Sequence, residues 1–268
     1  MSYGSDYPEY VTVAEKKEKN KKKYEKLSKK NPDISPVVIT GSKLAATWWG
    51  KAWNNNLETY SDYSNRMPRG RSYIRHGAIL DLKITPGGIT ALVQGSRAKP
   101  YVINIAIASL AKNNWDEIIK SCEGKIESLQ ELLDGKFPKA LAELFTAKNT
   151  GLFPSPKEIS LNCTCPDWAN MCKHVAAALY GVGARLDENP ALFFVLRNVN
   201  IDELVSKAIA QKSESLLKKS GKKTGRVIND DVSAMFGIDL ESESQNASPV
   251  MPEKKMKSKQ PRKPLSSP

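Results

Sequence analysis

Apolar positions recur along this chain at two different periods, and the switch between them divides it. In 78–84, Leu80, Leu82 and Ile84 alternate with other residues. Thr85, Pro86, Gly87 and Gly88 then supply turn chemistry before a second run at 89–94. Tyr101, Ile103, Ile105 and Ile107 repeat the alternation. Residues two apart in a strand share a face, so these runs predict an antiparallel meander. Upstream, TWWGKAW brings together Trp48, Trp49 and Trp53, the last two spaced to share one face of a short helix.

From residue 114 the period becomes helical. Asn114 stands as a cap with Glu117 three residues on, and Trp115, Ile118, Ile119 and Cys122 follow at helical spacing. Further helices are predicted over 126–133, 139–147, 175–186 and 192–196, and one after Asn200, which has Glu203 three residues on. A strand is predicted at 158–163.

The chain has 268 residues, enough for one large or two modest domains whose core needs no disulfides. A net charge of +12 suggests a polyanionic partner, but the excess is unevenly placed: +3 in 1–36, +4 in 37–211 and +5 in 212–268. Residues 1–36 carry KKEKNKKKYEKLSKK with almost no apolar periodicity and predict a basic arm, flexible or partly helical. The stretch 212–268, rich in Pro, Ser and Lys, predicts a disordered basic tail interrupted by an apolar island at 232–240. The opening MSYGSDYPEY lacks the layout of a secretory signal, and the longest apolar stretch, 101–111, falls far short of the ~20 residues that span a bilayer. A soluble, cytoplasmic protein with no membrane partner is expected.

Four cysteines are too sparse for a disulfide scaffold at this size, and three of them crowd together. The stretch CTCPDWANMCKH holds Cys163, Cys165, Cys172 and His174. Thiolate and imidazole donors suit tetrahedral Zn2+, and four protein ligands close the site, leaving no position for a catalytic water. Cys163 and Cys165, two apart in extended chain, point to one side. Cys172 and His174 enter a helix whose N-terminus favours thiolate. Two other readings stand beside this one: buried thiols adjacent by chance, and a redox pair of Cys163 and Cys165. The redox pair lacks the two-residue spacing and βαβ context of such motifs.

Cys-x-Cys, six residues, Cys-x-His and then HVAAALY resemble the SWIM-type zinc finger. The resemblance implies one structural zinc on Cys163, Cys165, Cys172 and His174, a strand pair plus helix over 158–186, and Trp168 packed under the metal loop. More loosely, TWWGKAW, the Arg-rich stretch, the meander and the helices after the finger are similar to bacterial SWIM zinc-finger proteins. That similarity implies association with DNA-dependent ATPases of the chromatin-remodelling helicase type, binding to DNA or protein, and no reaction. The expected fold class is α+β. An N-terminal antiparallel β-meander with helices precedes a small zinc-stabilised ββα finger and C-terminal helices, between disordered basic ends. The expected divisions are 1–36 (arm), 37–150 (meander and helices), 151–211 (finger and following helices) and 212–268 (tail).

Within NRMPRGRSYIRHG stand Arg66, Arg69, Arg71 and Arg75, with Tyr73 and His76 among them and no acid between Asp62 and Asp81. Arginine pairs bidentately with phosphate, and an aromatic ring can stack on a base. Pro68 and Gly70 predict an exposed loop here, and a merely solvated basic loop is the plain alternative. Lys173 and Lys157 flank the ligands, Arg185 and Arg197 follow, and Asp167 and Asp187 partly offset them. The expected function is a non-enzymatic zinc-binding module that binds nucleic acid, DNA in the first place, beside a helicase-like DNA-dependent ATPase. The competing expectation is a protein-interaction adaptor whose finger and Leu192, Phe193 and Phe194 dock on that ATPase or another repair or transcription factor. No P-loop, nucleophile elbow or acid–base His pair marks an enzyme.

Overall fold

The computed structural model describes residues 11–59, 65–122, 131–132, 134 and 136–220; most of the helix predicted over 126–133, and 221–268 of the expected tail with its apolar island, lie outside them, while 212–220, expected as disordered, are helical. Part of the basic arm is helix α1 (Val13–Ser28). A capping box starts it: the Thr12 hydroxyl accepts the Glu15 N–H, and the Glu15 carboxylate accepts the Thr12 N–H. α1 is tied down by Asn20, whose Nδ2 donates to the His76 carbonyl at 2.9 Å, and by Lys23, which donates to the Ala98 carbonyl.

The meander forms as expected, as β1 (Ile79–Thr85), β2 (Gly88–Val93) and β3 (Tyr101–Ile107). β4 (Ile159–Cys163) adds antiparallel to β3, giving one sheet in the order β1-β2-β3-β4. Within 158–186, where a strand pair was expected, β4 is the one strand; its partner is β3 of the meander, so the finger's strand is part of the main sheet. Helices α2 (Trp48–Glu58), α3 (Arg66–Arg75), α4 (Lys112–Ser121), α5 (Ala142–Thr146), α6 (Lys173–Glu188), α7 (Leu192–Leu196) and α8 (Ile201–Ser220) complete the described α+β fold. No helix among the described residues is long and apolar enough to cross a membrane.

Local signals were followed unequally at the helix ends. Asn200 does cap α8, its Oδ1 accepting the Asp202 N–H at 2.8 Å. Glu203 instead accepts the Trp115 indole N–H at 3.0 Å. α4 starts at Lys112, so Asn114 lies inside the first turn and its amide reaches the Asn149 carbonyl at 3.0 Å. Asn114 thus starts no helix, because α4 begins two residues before it, and its amide instead donates across to another segment.

α6 is the hub. Val175, Ala176, Ala177, Ala178 and Leu179 are wholly buried, because neighbours approach this alanine-rich helix from several sides. Trp53 and Trp49 on α2 donate their indole N–H groups to the Leu179 and Leu186 carbonyls of α6, at 2.9 and 2.8 Å. Trp48 donates to the Phe137 carbonyl at 3.2 Å, so all three tryptophans serve the core. Asp187, at the far end of α6, accepts from the backbone of Ala46 and Thr47 and so secures the start of α2. Phe137, Phe145, Phe153, Phe193 and Phe194 extend the core, with Phe153 stacked on Phe193 at 5.1 Å.

The stretch expected as an exposed loop is α3, packed across α6. Pro68 sits in its first turn, where a backbone N–H has no helical partner to lose. Gly70 is where the two helices touch: a Cβ there would lie 2.6 Å from the Ala176 Cβ and 3.0 Å from backbone atoms of Ala176 and Ala177. The helix ends in a Schellman arrangement, with Gly77 at φ +64° and the Ala78 N–H on the Tyr73 carbonyl at 3.1 Å. Gly70→Leu is expected to lower stability by about 3 kcal/mol or more, since added methylenes would strike backbone rather than a movable side chain. A urea-unfolding midpoint equal to that of the parent chain would contradict this crossing.

Candidate metal centre

Cys163 is the last residue of β4, opposite Ile103 of β3. Pairing with β3 continues one residue further, with Thr164 N–H on the Val102 carbonyl at 3.1 Å and Val102 N–H on Thr164 Oγ1 at 3.0 Å. The chain then bends over 164–166, and this bend, not a continued strand, places the Cys165 sulfur beside that of Cys163. Cys172 is the N-cap of α6, and its sulfur accepts the Val175 N–H at 3.5 Å. His174 follows in the first turn, with Nδ1 3.9 Å from the Cys172 sulfur. One ligand atom from each of Cys163, Cys165, Cys172 and His174 lies within 4.8 Å of the others.

The donor set fits zinc. Hydrogen bonding to Cys172, followed by burial, pushes the Cys163 thiol well up, and burial raises Cys165. Cys172 is pulled down, chiefly by the Cys163 hydrogen bond, with help from His174 and the Val175 N–H. One thiolate therefore gathers donors from its neighbours, and ionising all three in so small a volume requires a cation among them. The four cysteines form no disulfide. Zn2+ bound here supplies a cross-link between the end of β4 and the start of α6.

Around the ligands, the His174 ring is held between aromatic rings. Tyr101 lies at 4.4 Å and Tyr73 at 5.2 Å between centroids, and a Cβ on Gly95 would come within 2.9 Å of Nε2. These three neighbours come from β3, α3 and the loop after β2, and no spacing in the sequence links them to His174. The loop between the ligand pairs is pinned by Asp167, which accepts from Arg66 at 3.0 Å and from the Ala169 N–H at 3.3 Å. Trp168 does not pack beneath this loop: it is 79% exposed.

The basic residues part company. Arg66 is committed to Asp167, with side chains 15% and 12% exposed. Arg71 bonds Glu58 at 2.6 Å and the Tyr180 hydroxyl at 2.9 Å, while Arg75 reaches the Ser42 carbonyl at 3.4 Å. Arg69 is exposed one turn from Arg66, on the metal side, where its charge acts on Tyr73 together with Cys165 and Cys172. Lys173 is half-buried in the first turn of α6. Arg185 bonds Ser35 and Pro36, and Arg197 is buried, so neither is displayed by the finger.

The SWIM zinc finger family model matches residues 150–182. The uncharacterized protein Rv2102 of Mycobacterium tuberculosis is 35% identical over 176 residues, 65% of this chain and 63% of that protein, so the match spans less than two thirds of the relative. No solved structure matches the chain. With the four ligands converging at the β4–α6 junction inside the matched segment, this chain carries a SWIM zinc finger, and that finger binds one structural zinc ion.

Proposed function

We propose that this chain is a non-enzymatic, zinc-stabilised module that binds nucleic acid, DNA in the first place, and works beside a helicase-like ATPase of the kind its resemblance implies. The observation that carries the binding half is the docking of α1. Lys16, Lys17, Lys19, Lys21, Lys22 and Lys26 are exposed on a helix anchored through Asn20 to the end of α3. Lysines on a docked helix present positive charge to a phosphate backbone without first having to be ordered. Their field reaches α3: burial first, then Lys16 and Lys17, hold the His76 imidazole below its ordinary pKa. Exposed Arg69 adds a cation on α3, one turn from the Arg66 that bonds Asp167 of the zinc loop.

A band-shift titration with single- and double-stranded DNA and with RNA at moderate salt tests the proposal; no shift with any of them overturns it. The pairing of the arginines sharpens the test. Arg69→Gln should weaken binding and reduce the log–log salt slope by roughly 0.7–0.9, the loss of about one phosphate contact. Arg71→Gln should leave that slope nearly unchanged, because its guanidinium is engaged by Glu58 and Tyr180. Equal slope changes for the two variants would refute the assignment of Arg69. The adaptor reading has to rest on residues other than Phe193 and Phe194, which are 1% and 2% exposed. A protein partner retained after nuclease treatment and lost with Cys172→Ser would favour it.

A further inference from the structure

We propose that Trp168 is a stacking platform for an unpaired base, so that the nucleic acid engaged at the zinc loop is single-stranded. This inference rests on the nucleic-acid reading above. Trp168 is 79% exposed, while Trp53 and Trp115 are 1% and 5% exposed and Trp48 and Trp49 are half-buried against the core. Among the described residues it is the most exposed large hydrophobic side chain.

Its exposure is not that of a loose loop. Asp167 before it is held by Arg66 and by the Ala169 N–H. Ala169 and Met171 after it are 7% and 2% exposed, and the loop begins and ends at metal ligands Cys165 and Cys172. The indole is therefore carried on a frame anchored on both sides, a pre-organised apolar plane turned to solvent.

The surroundings favour a base over a protein. A protein hot spot seats its tryptophan within a ring of contacts that excludes water. Here the exposed neighbours in sequence are Asn162, Thr164, Pro166 and Asn170, three polar residues and a proline. The loop's carboxylate is neutralised by Arg66, while exposed Arg69, one turn from Arg66 on α3, and Lys173, next to the ligand that closes the loop, add positive charge for the backbone of a strand. A duplex keeps the faces of its bases against one another, whereas a single strand offers them, and aromatic stacking is tolerant of sequence.

The test uses the full chain loaded with zinc, an unstructured oligodeoxynucleotide and its RNA counterpart, and a blunt hairpin duplex of the same composition. Single strands should quench indole fluorescence and bind more tightly than the hairpin. Trp168→Ala should lose roughly 5- to 150-fold in single-strand affinity, with little change for the hairpin. Trp168→Phe should restore most of the loss and Trp168→Leu should not, because leucine keeps apolar bulk without a π face. Zinc content should be unaltered in all three, the side chain being external to the ligand set. Restoration by leucine, equal losses on strand and hairpin, or unchanged affinity in Trp168→Ala would each overturn the stacking role while leaving nucleic-acid binding intact. Failure of the parent chain to bind any of these probes would overturn the underlying reading as well. A protein partner lost with Trp168→Ala while oligonucleotide affinity stays unchanged would reassign the residue to a protein interface.

Discussion

Cys172→Ser is expected to strip the protein of zinc and lower its melting temperature by more than about 10 °C. Structural zinc contributes apparent free energies of ~10–16 kcal/mol in finger peptides, and a loss of only a few kcal/mol produces a shift of that size in a chain of this length. The effect should be large here because the residue serves twice. Its sulfur is a ligand and also the N-cap of α6, the helix on which α2, α3 and the sheet all rest. Unlike an isolated finger, the body has a core of its own, so much of the helical signal should persist. Native mass spectrometry and a thermal melt read the two effects separately. Cys122→Ser supplies the control: that thiol is equally buried but lies on the helical face with Ile118 and Ile119, outside the ligand cluster, and its loss should remove no zinc. A Cys172→Ser protein with one zinc and an unaltered melt would defeat the metal assignment.

The second large effect concerns Arg197 and Glu158. The guanidinium, with its side chain 2% exposed, pairs with Glu158 and donates to the Ala108 carbonyl at 2.8 Å, tying the segment after α7 to the ends of β3 and β4. Arginine cannot shed its charge, so removing its partner leaves a buried cation. Glu158→Ala is therefore expected to cost about 3 kcal/mol, read as a fall of roughly 6–12 °C in melting temperature. Arg197→Met should cost less, because Glu158 is 27% exposed and can be hydrated. Acid should act like the first substitution. Burial pushes Glu158 up, but hydrogen bonds from Arg197 and Ser155 outweigh it and hold the carboxyl below 4.5. A depressed folded value means that the stabilisation is complete above the unfolded value and lost as pH falls through the folded one. The parent chain should thus lose stability on acidification below about pH 5, and Glu158→Ala should show a shallower decline there. Parallel declines would remove the pair from the account.

Much of the architecture was legible along the chain. Period-two alternation at Leu80, Leu82 and Ile84 and at Tyr101 to Ile107 located the meander, and helical spacing located α2, α6 and α7. The Cys-x-Cys and Cys-x-His spacing located the finger, because ligands so near in sequence can meet through local geometry alone: a strand end with the bend after it, a short return and a helix start. α3 was missed where Pro68 and Gly70 looked like loop residues. The Gly77 end signal was available, but the reason for Gly70 lies at Ala176, more than a hundred residues away.

Spacing along the chain was thus sufficient for most of what neighbouring residues do to one another: which segments are strand or helix, α3 apart, and that three thiols and an imidazole converge. Packing between distant segments decided the rest. It chose β3 as the partner of β4, buried Arg197 against Glu158, and enclosed His174 between Tyr73 and Tyr101. It also divided four neighbouring arginines among Asp167, Glu58, Ser42 and solvent, and turned Trp168 outward. Side-chain periodicity is a property of the local backbone, whereas partner and exposure depend on which surfaces meet once the core has closed around α6.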